Sequence, residues 1–381
     1  MVTDLTRRKL LRAAMSSITL APVAGVITAC SSRPSNDDVA RLNTKIIGCS
    51  RATFGGYAVV VAKQDGSPIY QFALPARGHD IAIQPNSTLA AAFSRRPGQY
   101  VQVFDHVSGE EWGIRAADPL RHFYGHGVFS PDGKYLYATE GVKATSQGVI
   151  GVYEVKAGLP KVAEYTGFGI GPHEVVLADN NTLAVGVGGV HTDGRTPTNL
   201  DTMQPALVYL DANNGELLEQ AVLKDKRLSI RHLSVTDTGE IACGQQYRGE
   251  PEQAAPLVAL HRRGEPLRQL YAEDEEWLRF NHYIASIASV DGYLLATSPR
   301  GNCYGIWKEA TNELVEIKPL VDASGVGVVD GQWLVGSGSG KVLDISPPSV
   351  SDANVTKAKS EVITHQSPIM WDNHWNLYQS R

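Results

Sequence analysis

A short histidine-centred motif returns along this chain, and its period restricts the possible folds more than any other feature. It reads GHDIAIQPNSTLAAAF at His79, GHGVFSPDGKYLYATE at His126, PHEVVLADNNTLAVG at His173 and RHLSVTDTGEIACG at His232. It continues as NHYIASIASVDGYLLAT at His282 and HQSPIMWDNHWNLYQ at His365. Between the last two stands SGVGVVDGQWLVGS, where Ser324 takes the place of the histidine. Each copy is an alternating apolar run, a turn and a second apolar run, and successive copies lie 41 to 59 residues apart.

A period of about 40–50 residues with several short strands per unit is the pattern of a β-propeller. Alternation ending in Pro-Asp-Gly or Asp-Gly supports strands joined by tight turns. In the second unit GVFSPD reads as the innermost strand, followed outward by YLYATE, GVIGVYEV and VAEYTG. Seven copies predict an all-β, seven-bladed propeller. Three strand-like segments, TKIIGCSRA, GYAVVVAKQ and SPIYQFALP, precede the first histidine without an inner strand of their own. The segment from His365 to Arg381 offers one, so the two ends are expected to share a blade and fasten the ring, leaving no exposed edge. The 381 residues therefore read as one large domain over 44–381 and not as two.

Composition agrees with this reading. An apolar fraction of 43% supports a sizeable core, and 37 glycines with 20 prolines suit many tight turns. Net charge is -5 with no basic stripe, which argues against nucleic-acid binding. Helical periodicity is scarce; DEEWLRF at 274–280 reads as a short insert. Cys49, Cys243 and Cys303 have no Cys-x-x-Cys spacing, and Cys49 and Cys243 read as small buried hydrophobes in strands.

The first thirty residues are a separate matter. Arg7 and Arg8, followed by Lys9-Leu10-Leu11-Arg12, match the twin-arginine export pattern. Ala13 to Ala29 is only mildly apolar, too weak for a stable transmembrane helix. It ends in Ile27-Thr28-Ala29-Cys30, which resembles a lipobox with Cys30 as the lipidated residue; an ordinary cleaved signal is the alternative. Residues 31–43 read as a polar tether. The expectation is a periplasmic protein that touches membrane only through its signal or a lipid anchor, the outer membrane being indicated by the lack of aspartate after Cys30.

In a propeller, equivalent positions of the inner strands converge on the central channel, so residues a full repeat apart become neighbours. His79, His126, His173, His232, His282 and His365 would then form a ring near one mouth. Neutral imidazole ligates zinc, copper, nickel and iron. Three or more such ligands make a transition-metal site, with an open position if chemistry occurs there. The alternative is structural: in tryptophan-aspartate repeat propellers a Gly-His pair bonds within its own blade, although the tryptophan-aspartate partner is missing here. Asp80 and Glu174 follow two of the histidines and are candidates to orient imidazoles, though strand alternation points them to the opposite side. Arg77, Arg231, Arg300 and the Arg95-Arg96 pair fall near the same end and favour an anionic ligand, such as a carboxylate or a metal chelate.

No GxSxG elbow, HExxH, P-loop or CxxCH is present, so no catalytic motif is recognisable. Redox activity is open if a metal binds. A protein-interaction scaffold, or a lactonase-like or quinoprotein-like enzyme, remains an alternative.

The twin-arginine signal, ARGHDIAIQP, SRRPG, HGVFSPDGKYLYATE and SPRGN together resemble the bacterial family DUF1513, over roughly 45–380. The resemblance implies an exported propeller encoded beside imelysin-like and di-haem oxidoreductase-like proteins linked to iron uptake. It favours iron, whereas intrinsic affinity favours copper. After YLYATE, Gly141-Val142-Lys143 departs from the family's usual Asn-Asp, which puts any ligand from that loop in doubt.

Overall fold

The computed structural model describes residues 44–52, 55–193, 196–349 and 359–379, all within one compact unit, Ala40–Arg381. The expectations for Arg7, Arg8, Cys30 and the tether fall outside these residues.

Each repeat folds into four antiparallel strands, and seven such sheets form a seven-bladed propeller. In the second repeat the order outward from the channel is Arg121–Phe129, Tyr135–Val142, Gly148–Glu154 and Lys161–Tyr165, as the sequence indicates. The pattern of apolar residues follows from position in the blade. Tyr135–Val142 is covered by blades on both faces and is buried almost throughout. Lys161–Tyr165 lies at the outer edge and alternates between half-buried and exposed up to the buried Tyr165.

Neighbouring blades pack through their sheet faces. Ile150, Val185 and Val208 fill one such interface, and Leu295, Trp333 and Ile345 another. Each large apolar side chain buried this way contributes roughly 1.5–3 kcal/mol. Cys49, Cys243 and Cys303 are buried free thiols. The helical insert is present as Asp274–Arg279, begun by a capping box between Glu273 and Glu276.

The ring closes by shared ends. Strands Pro68–Leu74, Tyr57–Lys63 and Thr44–Arg51 form the outer part of one blade, and Trp371–Gln379 supplies its inner strand. Trp371 and Trp375 then pack with Ile46, Val60, Leu334 and Val342, joining this blade to the preceding one. Gly48 admits the closing strand, since a Cβ there would stand 3.0 Å from the Trp371 ring.

One detail of the repeat differs from expectation. His365 does not begin the closing strand; it lies on Val362–Gln366, the mostly exposed outermost strand of the preceding blade. The closing strand begins after it, because the aromatic pair that must be buried, Trp371 and Trp375, brackets His374 and not His365.

Candidate metal centre

The inner strands do not run regularly past the channel. In six of the seven blades the pairing of the inner strand with its neighbour shifts register at the repeat position. These breaks contain His79 and Asp80, Gly125 and His126, His173 and Glu174, Arg231, Ser324, and Asp372 with His374. Such a bulge re-aims side chains that regular alternation would send to opposite faces. Thr139 Oγ1 donates to the carbonyls of His126 (3.1 Å) and His173 (2.9 Å), tying two of these bulges together.

Five imidazoles meet as a result: His79, His126, His173, His232 and His374. All are buried, and His126 is fully so. Ring centroids are 4.6 Å apart for His126–His173 and His79–His374, and 4.8 Å for His126–His374 and His173–His232. Ligating atoms of His79, His126 and His173 lie within 4.8 Å of one another, and so do those of His126, His232 and His374. The expected ring is thus present at His79, His126, His173 and His232, with His374 as fifth member.

His282 and His365 stand outside the cluster. His282 precedes its inner strand at a left-handed φ of 55° and donates from Nε2 to the Gln253 carbonyl at 2.8 Å. Ser286 holds the repeat position in that blade: Thr297 Oγ1 bonds the carbonyls of Ser286 and Ser324 as Thr139 does those of two histidines. His365 pairs with Asp344 at 3.3 Å on the outer edge. The sequence signal for His374 was available: it follows Ser324 by 50 residues, within the repeat's range, and an apolar alternation follows it.

The bulges also explain the carboxylates. Asp80 and Glu174 do not point away, because alternation fails at the bulge. His126 Nδ1 lies 3.0 Å from Asp80 Oδ2, and His232 Nδ1 lies 3.2 Å from Glu174 Oε2. In each case the acid comes from a preceding blade. His79 Nδ1 stands 3.6 Å from Asp372 Oδ1, beyond hydrogen-bond range. A carboxylate on Nδ1 fixes the tautomer and leaves the Nε2 lone pair facing the cluster. Nε2 of His126, His232 and His374, and both nitrogens of His173, are buried without a hydrogen-bond partner.

Proton affinities diverge accordingly. Burial, with the charge of neighbouring imidazoles, pushes His79, His173 and His374 well below the ordinary histidine value. Burial also lowers His232, with Glu174 opposing. Burial would lower His126 too, but the Asp80 hydrogen bond and charge outweigh it and hold its pKa above the ordinary value. The layer is therefore a set of mostly neutral imidazoles with buried, unused lone pairs, a donor set that fits a transition metal. Because Asp80 occupies Nδ1 of His126, that ring has only Nε2 to give. The two histidine triads share it, so they would hold one ion and not two.

Arg77, Arg231 and Arg300 come to the same place, as expected. They line a cavity of about 400 Å³ that also reaches His79 and His173. Arg95, Arg96 and Arg248 complete its basic wall. Arg77 and Arg95 both engage Asp372, at 2.6 and 3.3 Å. Arg231 is buried, and its pKa is pushed down to about 9 by burial and then by the Arg248 and Arg96 charges. Gly188 makes room for it, since a Cβ there would stand 3.0 Å from its guanidinium carbon. Arg248 is the wall residue that sequence reasoning missed, and a signal for it existed: it follows His232 by 16 residues, as Arg95 follows His79. A further cavity of about 380 Å³, lined by Asp80, Glu174 and His374 among apolar residues, opens farther along the same inner strands.

Another acidic group, Asp118, Glu140 and Glu164, is already served: Lys161 Nζ reaches all three at 2.9 Å. It needs no metal.

The fold and the layer define a class: a seven-bladed propeller whose inner-strand bulges gather histidines across the channel. A family model described as "Protein of unknown function (DUF1513)" matches residues 72–378. The chain belongs to this family. No match is found among curated proteins. Among solved structures it is similar to hydrazine synthase of Kuenenia stuttgartiensis, with a TM-score of 0.56 and 16% identity over 74% of this chain and 86% of that one. It is likewise similar to a chain in a crystal structure of the mitotic checkpoint complex, with a TM-score of 0.57 and 12% identity over 94% and 93%. At these identities the likeness is one of fold alone.

Proposed function

We propose that this protein binds a single transition-metal ion in the histidine layer and handles that metal in the bacterial periplasm. His126, His232, His79, His173 and His374 are the ligand set, and Asp80 and Glu174 orient two of them. The observation that carries the reading is the buried, partnerless nitrogens converging from five blades, two of the rings being fixed by carboxylates. A purely structural role predicts histidines bonded within their own blades, whereas His126 and His232 bond acids of other blades. Imidazole suits iron, copper, nickel and zinc. Iron is the favoured metal because the family resemblance implies companions linked to iron uptake, imelysin-like and di-haem oxidoreductase-like proteins. Copper is the alternative by affinity. A bound iron or copper would supply electron transfer or metal delivery. The twin-arginine pattern at Arg7-Arg8 and the lipobox-like run ending at Cys30 support a periplasmic, lipid-anchored protein on this reading.

The test is elemental analysis of protein exported by its own signal, beside a His126→Ala/His232→Ala variant. Near-stoichiometric metal that is lost in the folded variant supports the reading. Absence of metal from the wild type, even after reconstitution with iron and copper, refutes it.

A further inference from the structure

The acids of this chain outnumber its bases, 40 to 35, yet six arginines and no carboxylate line the cavity over His79 and His173. Asp372 answers Arg77 and Arg95 from just outside that wall. Arg231, Arg248 and Arg300 have no carboxylate within ion-pair distance among the described residues. Arg231 is 3% exposed, and its Nε, like that of Arg248, is buried without a hydrogen-bond partner. Arg300 stacks over Tyr283 at the rim, 4.6 Å from the ring centroid. Buried guanidinium charge of one sign is costly unless an anion offsets it. The planar donor fork of arginine matches carboxylate and phosphate oxygens in pairs.

We propose that this cavity is a binding site for a compact oxyanion carrying two or more negative charges, either a polycarboxylate or a phosphate. Arg231 and Arg248 form its inner wall and Arg300 its rim. At about 30 Å³ per water the space equals roughly a dozen waters, which admits a small metabolite and excludes a polymer. Its floor is the edge of the histidine layer, so a polycarboxylate seated here could also contact a metal held below. The anion site itself does not depend on that metal, because the arginines line the cavity in either case.

The experiment is isothermal titration of the metal-free full protein at low salt with citrate, inorganic phosphate and acetate. The expected result is one equivalent of citrate or phosphate bound with submillimolar affinity, weakened by added salt, and acetate at least about tenfold weaker. Citrate alone marks a polycarboxylate site and phosphate alone a phosphoryl site. Arg231→Gln should weaken binding about tenfold or more. Arg300→Gln at the exposed rim keeps the test decisive if the buried change impairs folding, and it should weaken binding in the same direction. Failure of both multivalent anions to bind at millimolar concentration, affinities equal to that of acetate, or affinities unchanged in the folded variants would overturn the proposal. Titration without metal makes this outcome separate from the fate of the metal reading.

Discussion

Single histidines in this protein differ in a way that pH exposes. His79, His173, His374 and His232 have folded pKa values below the unfolded reference of 6.5, whereas that of His126 is raised. For a lowered group the unfolded chain binds more protons, so its contribution to stability is present above about 6.5 and is lost as pH falls below it. For His126 the sign is opposite: its contribution is present below about 6.5 and is lost as pH rises through its folded value. Four rings outweigh one. The metal-free protein should therefore melt at a lower temperature near pH 5 than near pH 7, as read by calorimetry, and His173→Gln should reduce the difference. A melting temperature equal at the two pH values, or a slope untouched by the variant, would contradict this picture. His79, His126, His173 and His232 were legible from their spacing alone. His374 also stood within the repeat's range but was passed over, because two histidines nine residues apart competed for one repeat position and the wrong one stood first. The roles of Asp80 and Glu174 were obscured for a different reason: period-two alternation is a rule for regular strands, and both lie in bulges.

The inner-strand bulge is the device that builds the layer, and glycine enforces it in one blade. Gly125 has φ +106°, and a Cβ there would stand 2.7 Å from His79 Cδ2. Gly125→Ala should therefore cost roughly 1–3 kcal/mol and displace the His79 ring. Urea denaturation measures the first effect; a midpoint matching the wild type would show that the bulge relaxes freely. The Gly125-His126 pair seen in sequence thus has a local steric cause. Strand order within blades was readable because turn residues and alternation report it directly. The His282 copy misled because its blade lacks the bulge: Ser286 pairs in register with Thr297, and the histidine stands four residues upstream in a left-handed turn.

The ring as a whole depends on its last strand. Trp371–Gln379 completes the first blade, carries His374 and Asp372, and buries two tryptophans at the closing interface. Truncation before Trp371 should abolish cooperative unfolding and produce aggregation through the exposed edges, as followed by circular dichroism and size-exclusion chromatography. A truncated protein with a wild-type melt would show that the other blades hold the ring without a clasp. Closure through shared ends was readable from the unpaired strands before His79. Most of the arginine-walled cavity was readable too; Arg248 alone was passed over, although it follows His232 by 16 residues as Arg95 follows His79.

A metal held by imidazoles from several blades leaves its signature in the X-ray absorption of the metal-loaded protein. Nitrogen neighbours at about 2.0–2.1 Å should be seen with the outer-shell scattering of three or more imidazole rings, reduced in His126→Ala. A shell made only of oxygen, or a spectrum unchanged in that variant, would contradict it.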